Sequence, residues 1–585
     1  MNRIPHSPSE RHAVKACPVC NGARVYYLFS SSDHRVVRCN DCGLIFLNPQ
    51  PSDQDLSRIY GTDYFLGSDT QLARREVSEM KQATARLYLS RLRSYSGLKT
   101  GRLLEIGCGD GDFLVAAEAE GWQVTGIDYS PAACQRAQRR LQRGDVHCGE
   151  LQKACLMPDQ YDLCILSDVI EHVRSPIDFM REIHRVLKPG GTVLIATPST
   201  DSWSARVLKQ NWMEFKPEHL TYFDRQTIQT ALIRSGFREI IVEAGWKILS
   251  LDYIRKHFER FPVPMVSPIV KLLVKLLPYK TQVKHRRLVA SGIMVFSRKA
   301  EVRPAAVVSV IVPAFNEAPT FDSLMRSLLE KELPDLALEI VIVESNSTDG
   351  TRELALKYQD HPRVKLILED QPRGKGHAVR AGLKAATGDY ILIQDADLEY
   401  DLEDYEVLLE PLVAGRCAFV LGSRHGGHNV LKLRQFTGQF GLSLLLNCGH
   451  MVFATLVNLL LLKRLSDPFT MFKVFRRDCL YGLEFECNRF DFDYELLIKL
   501  IRKGYNPVEV PVNYRSRSFN EGKKVRMFRD PLNWLKALAW LRFTRIDPMS
   551  VAERTPRAFE SQTVSTPAAA PAKSHERSNS TAIPV

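Results

Sequence analysis

The chain runs through one folding plan twice. Between residues 101 and 300, and again between 306 and 545, apolar strand-like runs alternate with helix-like segments, the pattern of an α/β unit built on a parallel sheet. The seam between them, AEVRPAA at 300–306, is short, charged and Pro-containing; it separates a run ending VASGIMVFSRK from one beginning VVSVIVPAFNE. At 585 residues the chain is too long for a single core, so two large domains with smaller attachments are predicted. A composition of 45% hydrophobic and 25% charged residues excludes global disorder. The ends are the exception: residues 1–12 read as a flexible leader, and 551–585, rich in Ser, Thr, Pro and Ala, as a disordered tail.

An ordered cysteine quartet precedes the first unit. Cys17 and Cys20 form a C-x2-C knuckle, and Cys39 and Cys42 form a second after an eighteen-residue gap. Two such knuckles present four thiolates to one tetrahedral Zn²⁺, with no position left for catalysis, so a structural zinc ribbon over 13–65 is predicted. The remaining cysteines of an odd total of 13 are scattered through otherwise apolar segments, which argues against a secreted disulfide framework. The opening MNRIPHSPSERHAVK lacks a basic region followed by an apolar one, so the expected location is cytoplasmic. A net charge of +12 points to polyphosphate substrates or an anionic membrane face ahead of nucleic acid.

GLSLLLNCGHMVFATLVNLLLL, Gly441 to Leu462, is long enough to span a bilayer, but Asn447, His450 and Asn458 fall roughly on one helical face. An amphipathic helix lying on a membrane is the better reading. Together with DPLNWLKALAWLRF, it would give peripheral contact with the inner face of the cell membrane.

In GRLLEIGCGDGDFLVAAEAEGWQVTGIDYS an apolar strand leads into a loop containing Gly107, Gly109 and Gly111, then a helix, then a second strand ending at Asp128. Glycines let the backbone approach a ligand closely, and an acid closing the next strand suits a ribose diol. A dinucleotide loop wants G-x-G-x-x-G; here the third Gly comes one residue early and position 112 is Asp. Glu105 adds a negative group suited to the ammonium and sulfonium of S-adenosylmethionine rather than to a pyrophosphate.

With YDLCILSDVIEHVRSP and HRVLKPGGTVLIATP, the region resembles the class I S-adenosylmethionine-dependent methyltransferases, a Rossmann-like fold placed here at 66–300. The resemblance implies that Glu105 and the Gly107–Gly111 loop hold the methionine portion and Asp128 the ribose. It places Glu150 or Leu151 near the adenine, and Ser167 and Asp168 at the reacting end. The quartet followed by GLIFLNPQPS and YGTDYF is similar to a zinc-binding extension of some of these enzymes, sugar methyltransferases among them. Methyl transfer often needs a base. His172, on a predicted helix beside Glu171, and His219, in the loop KPEHLTYFD, are the candidates, with His219 preferred.

In the second unit VVSVIVPAFNE and EIVIVESNSTDGT are strands ending in acids and amides, and a basic glycine loop, RGKG, leads to a strand ending at Asp395 and Asp397. Two carboxylates one residue apart direct their charge at one divalent ion, with substrate phosphate completing its shell. Adding LGSR, SDPFTMFKVFRR and FDFDYELLIKLIRKGYNPVEVPVNY, this half resembles the family 2 glycosyltransferases of GT-A fold, in particular the dolichol-phosphate-mannose-synthase-like branch, over 306–545. The resemblance implies nucleotide contacts at Pro313, Glu317 and Glu344, diphosphate contacts near Lys375, and Mg²⁺ or Mn²⁺ at Asp395 and Asp397. Arg424 and Lys473 would face phosphates, and Asp467 or a neighbouring acid would take the acceptor's proton. Many relatives carry two Asp where this chain has Glu344 and Ser345, which leaves the nucleotide open. Arg515, Arg517, Lys523, Lys524 and Arg526 read either as a solvated basic face or as a clamp for an acceptor phosphate or anionic lipid.

The leading expectation is a bifunctional transferase, moving a sugar from a nucleotide-sugar to a glycan or polyprenyl-phosphate acceptor and a methyl group to a related acceptor. One alternative keeps the methyltransferase half as scaffold only. Another reads zinc ribbon and positive charge as a nucleic-acid-associated methyltransferase or adaptor, and leaves Asp395 and Asp397 unexplained.

Overall fold

The fold was analysed in a computed structural model, which describes residues 12–31, 34–59, 71–260, 266–300, 306–424, 440–515, 529–544 and 546. The expected tail at 551–585, and Arg517, Lys523, Lys524 and Arg526 of the basic cluster, lie outside the described residues.

Three sheets carry the described chain. The N-terminal unit supplies β1 (Val25–Ser31), β2 (His34–Cys39) and β3 (Ile45–Leu47), antiparallel to one another. The first α/β unit follows with β4 (Arg102–Ile106), β5 (Gln123–Asp128), β6 (Asp145–Cys148), β7 (Tyr161–Ser167) and β8 (Leu187–Pro198). It also contains β9 (Thr221–Tyr222), β10 (Phe237–Leu249) and β11 (Arg286–Lys299). Its seven-stranded sheet has the order β10-β11-β8-β7-β4-β5-β6, with β4 to β8 parallel and β11 antiparallel to both of its neighbours, β8 and β10. The chain steps outward from β4 to β6 and then returns to β7, so the crevice between the ends of β4 and β7 is the topological switch point, where ligands bind in open α/β sheets. Helices cover both faces, which is why residues 163–166 of β7 and 193–196 of β8 are apolar and buried.

β9 does not join that sheet. Ile45 and Phe46 of β3 pair with Tyr222 and Thr221, so the fourth strand of the N-terminal sheet comes from the methyltransferase-like unit.

The second unit contributes β12 (Ala306–Ala314), β13 (Leu336–Glu344), β14 (Val364–Leu368), β15 (Tyr390–Ile393), β16 (Phe419–Ser423), β17 (Lys473–Arg476) and β18 (Val508–Pro511). The order is β14-β13-β12-β15-β17-β16-β18, with β17 antiparallel to both neighbours. The switch point lies between β12 and β15, beside Asp395. The stretch Phe440–Leu461 is one 22-residue helix, and among the described residues no helix is long and apolar enough to cross a membrane.

The two units meet in a seam of apolar contacts, among them Tyr95 against Tyr481 (ring centroids 5.9 Å apart), crossed by hydrogen bonds. The Asp478 carboxylate accepts from the Glu239 backbone N–H (3.1 Å), Tyr505 Oη donates to the Ile240 carbonyl (3.2 Å), and Asn506 Nδ2 donates to Gln226 Oε1 (2.8 Å). Asp478 also grips Arg476 through two hydrogen bonds (3.0 and 2.9 Å), both side chains being buried.

Candidate active sites

At the first switch point β4 delivers Glu105 to the sheet edge and the glycine loop turns over β5. The N–H groups of Gly107 and Cys108 both donate to the Ile127 carbonyl (2.7 and 3.1 Å). Gly107 and Gly109 adopt φ of 75° and 52°. A Cβ on Gly107 would lie 2.5 Å from Val169, whereas one on Gly109 would enter open space, the side from which a ligand can approach the backbone. Asp128, ending β5, accepts from Gly109 N–H (2.8 Å) and Ser130 N–H (2.9 Å), so the residue expected at the ribose also sets the loop.

Glu105 is 6% exposed, and its Oε2 is a buried oxygen with no hydrogen-bond partner. Burial, then the nearby Asp112 and Asp128, push its carboxyl well above the ordinary carboxylate range. A cationic ligand group satisfies such an oxygen, and the ammonium of S-adenosylmethionine is of that kind. The cavity in front has a volume of about 1600 Å³ and brings together Glu105, Gly107, Gly109, Asp128, Glu150, Leu151, Ser167 and Asp168. Gly111 does not line it; with φ of 76° it starts the helix Asp112–Ala119.

The same cavity also holds both candidate bases. His172 lies not on a regular α-helix but in a single 3-10 turn, Ile170–His172, where its sequence context predicts a helix. Asp168 takes a left-handed φ of 56° directly after β7, and Pro176 starts the next helix, so there is no room for more. The His172 and His219 rings meet edge to face, centroids 4.8 Å apart. Nδ1 of His172 is 2.9 Å from the Glu218 carbonyl and Nδ1 of His219 is 2.9 Å from the Glu214 carbonyl. A carbonyl only accepts, so each Nδ1 carries the proton and each Nε2 is a lone-pair nitrogen. Burial brings His172 down to about 4 and His219 well below its ordinary value, so both rings are neutral at pH 7.

Two groups here escape a sequence reading. Lys247 of β10 pairs with Asp168 (2.7 Å) across 79 residues, and nothing local marks it. Glu171 is buried, its Oε2 accepting from Thr197 Oγ1 (2.9 Å) and its Oε1 without a partner. Burial, reinforced by Asp168, pushes its carboxyl up to about 8.

The cysteine quartet converges as its spacing predicts. Sγ of Cys17 and Cys42 are 3.5 Å apart, as are those of Cys20 and Cys39, and all four sulfurs lie within 4.8 Å of one another. Zinc–thiolate bonds of about 2.3 Å in a tetrahedron separate sulfurs by ~3.8 Å, so the cluster can accept the ion with little movement. Hydrogen bonding from Cys20 is the main cause that raises the Cys17 thiol to about 12, while hydrogen bonding from Cys17 draws Cys20 down to about 2. Four such sulfurs become thiolates together only around a cation.

In the second unit, Pro313, Glu317 and Glu344 gather along the edge where β12 and β13 end, Ala314 lying opposite Glu344. The fully buried Glu344 is committed to its own turn: it pairs with Arg352 and accepts from the N–H groups of Asn346 (3.3 Å) and Ser347 (2.6 Å). It shapes the NSTDGT loop rather than presenting a free carboxylate to a base, as the sequence resemblance had implied.

Lys375 opens the helix Lys375–Ala385 and forms an ion pair with Asp395, just past β15. Burial works against its ammonium, but Asp395, with Asp493 and Asp397, holds it above its ordinary value. Lys473, on β17, is 3.8 Å from Asp493. Burial lowers the Lys473 ammonium and raises the Asp493 carboxyl. Asp493 stands in the FDFDYE motif, and its convergence with Lys375, Lys473 and Asp395 is the feature that the sequence leaves unmarked.

Arg424 and Asp467 differ from their expected roles. They form a buried pair in which Arg424 donates from Nε (2.7 Å), Nη2 (2.8 Å) and its backbone N–H (3.0 Å) to the Asp467 carboxylate. Burial alone would raise Asp467, but Arg424 and His450 hold it well below the carboxylate range. A carboxylate so held is a poor proton acceptor and a good anchor for Arg424, whose guanidinium lies 5.1 Å from the Tyr514 ring.

The first switch point opens into a cavity, and at the second, charged groups converge just past the ends of β12 and β15. Residues 75–242 match the family described as methyltransferase domain, and residues 309–482 match glycosyl transferase family 2. The chain therefore carries a Rossmann-like methyltransferase domain followed by a GT-A family 2 glycosyltransferase domain. Among curated relatives it is 30% identical over 247 residues to glycosyltransferase AglD of Haloferax volcanii, covering 40% of this chain and 38% of the relative. It is 30% identical over 216 residues to a dolichol-phosphate mannosyltransferase of Pyrococcus furiosus (37% and 58%). It is 29% identical over 251 residues to a dolichyl-phosphate beta-glucosyltransferase of Dictyostelium discoideum (40% and 73%). The chain thus spans under two thirds of the first two. Solved structures similar to it include a SAM-dependent methyltransferase of Thermotoga maritima, with 19% identity, coverage of 42% and 95%, and a TM-score of 0.27. Another is a SAM-dependent methyltransferase of Archaeoglobus fulgidus, with 17% identity, coverage of 37% and 94%, and a TM-score of 0.26.

Proposed function

We propose that the chain is a bifunctional enzyme. Its second domain transfers a sugar from a nucleotide-sugar to a polyprenyl-phosphate or glycan acceptor, and its first methylates a sugar or glycan-related acceptor from S-adenosylmethionine. The observation that carries the methyl-transfer half is the orphaned buried oxygen of Glu105 beside an open Gly109 and Asp128. Glu105 would hold the cofactor's ammonium, Asp128 its ribose and Glu150 or Leu151 the adenine surround, with Ser167 and Asp168 near the transferring methyl. The acceptor would sit at the His172–His219 end, and His219 would act on its proton. The cofactor supplies the electrophilic methyl; the protein orients it and excludes water.

In the sugar-transfer half, Pro313 and Glu317 border the nucleotide and Lys375 the diphosphate. Asp395 and Asp397 offer oxygen ligands suited to Mg²⁺ or Mn²⁺ once phosphate oxygens complete the shell. Asp493, raised by burial, is the better acceptor of the hydroxyl proton, with Asp467 positioning Arg424 and Lys473 facing phosphate. Structural zinc at Cys17, Cys20, Cys39 and Cys42 completes a unit proposed for 13–65, ahead of domains at 66–300 and 306–545.

A cytoplasmic enzyme of cell-envelope glycan synthesis, touching the inner membrane face, is consistent with two apolar surfaces. Leu272, Leu273 and Leu276 are exposed on and just beyond the helix Val266–Lys275, next to Lys271 and Lys275; Val452 and Leu459 are exposed on the helix Phe440–Leu461. The deciding experiment is thermal stabilisation of the purified chain, with Mg²⁺ or Mn²⁺, by S-adenosylhomocysteine, UDP and GDP. Shifts with the adenosyl compound and with one nucleotide are expected; no shift with any nucleoside diphosphate sinks the sugar-transfer half.

A further inference from the structure

We propose that Glu171, His172 and His219 form a divalent-cation site at the acceptor end of the methyl-transfer cavity. This rests on the methyl-transfer reading and adds the device that handles the acceptor's hydroxyl. One ligand atom from each residue lies within 4.8 Å of the others. Ligands about 2.1 Å from a common ion stand roughly 3–4 Å apart, so closure needs about 1 Å of side-chain movement.

Two further observations point the same way. Both imidazoles donate Nδ1–H to backbone carbonyls, Glu218 and Glu214, the arrangement that fixes tautomer and ring orientation in metal-ligating histidines. Thr197 holds one oxygen of Glu171, while the other, on a side chain 2% exposed that lines the cavity, has no partner. A hydrogen-bonded histidine pair with a purely structural task does not account for a buried carboxylate oxygen left without a partner on the adjoining residue.

Two imidazoles and one carboxylate favour zinc or a neighbouring first-row ion over Mg²⁺. Its remaining positions face the cavity, where it would bind a hydroxyl of the acceptor and lower that hydroxyl's pKa. The acceptor oxygen then takes the methyl carbon, the S–CH₃ electron pair stays on sulfur, the O–CH₃ bond forms, and the hydroxyl proton leaves to solvent. His219 thus acts on the acceptor's proton through the cation, and the transfer is O-methylation.

The test counts cobalt retained by the full chain after removal of metal with a chelator, reloading and gel filtration without nucleotide. Two ions per wild-type chain are expected, one with thiolate-to-cobalt charge-transfer absorption from the quartet and one with ligand-field bands alone. Glu171→Gln and His219→Ala are each expected to retain one, while S-adenosylhomocysteine still stabilises them. A wild-type chain holding one ion, or variants that still hold two, overturns the proposal. The wild-type spectrum decides even if a variant fails to fold. Loss of S-adenosylhomocysteine binding by the wild type would instead remove the underlying methyl-transfer reading.

Discussion

Replacing Glu105 with Gln separates a binding role from a structural one, because the two move in opposite directions. Glu105 is buried with an orphan oxygen, and its carboxyl is raised well above the usual range by burial and by Asp112 and Asp128. A group whose folded pKa is raised contributes stability that is full below its unfolded pKa and is lost as pH rises towards the folded one. Without ligand, the wild-type chain therefore loses stability from about pH 4.5 upward on account of this residue. Gln keeps the shape and removes the ionisation, so Glu105→Gln should be more stable than the wild type in the ligand-free state at pH 8, by about 1 kcal/mol. The same change removes a charge-assisted contact to the cofactor's ammonium, worth about 1.5–3 kcal/mol, or roughly a 10- to 150-fold loss of affinity. Calorimetric titration with S-adenosylhomocysteine and denaturant unfolding, both at pH 8, read the two numbers. Unchanged affinity would refute the reasoning, and so would a variant that is less stable and binds more weakly, since damage alone explains that.

Asp395→Asn should lower sugar transfer at least a hundredfold while methyl transfer stays within about twofold, measured with labelled donors on one preparation. At the seam, Arg476 with its hydrogen bonds outweighs the effect of burial and takes the Asp478 carboxyl down to about 2. That depression stabilises the fold by about 2 kcal/mol above pH 4, an amount lost as pH falls from 4 through 2; Asp478→Asn should flatten this limb of the stability–pH curve and leave Arg476 buried without its counter-charge, for a further loss of about 3 kcal/mol at pH 7. Leu272→Asp with Leu276→Asp should abolish flotation of the chain with anionic vesicles, leaving nucleotide stabilisation unchanged; undiminished flotation would exclude this face as the contact.

What could be read ahead of the structure was local. The quartet needs only two knuckles, and the loop at Gly107–Gly111 with Glu105 and Asp128 follows from strand, turn and strand within thirty residues. The acids at Asp395 and Asp397 likewise sit where an apolar run stops. The rest depends on packing between distant segments. Nothing in Asp168 announces that Lys247 will reach it, and Arg424 and Asp467 look like separate motif members until a shared buried position makes them one ion pair. Glu344 ends a strand as a nucleotide ligand would, yet Arg352 and two backbone N–H groups occupy its carboxylate. Thr221–Tyr222 is too short a strand to show any period, so its place in the N-terminal sheet is invisible in the sequence.

That two-residue strand joins two chemistries. Leu47 N–H donates to the Leu220 carbonyl (3.0 Å), and Leu220 N–H donates to the Glu171 carbonyl (2.8 Å), so a short hydrogen-bonded path runs from the cysteine-rich sheet to the residues flanking His219. Among the described residues, no strand of the sugar-transfer sheet pairs with that path. With the quartet metallated as proposed, stripping zinc from the purified chain is expected to lower methyl transfer more than sugar transfer, which assay of both activities on one chelated preparation checks.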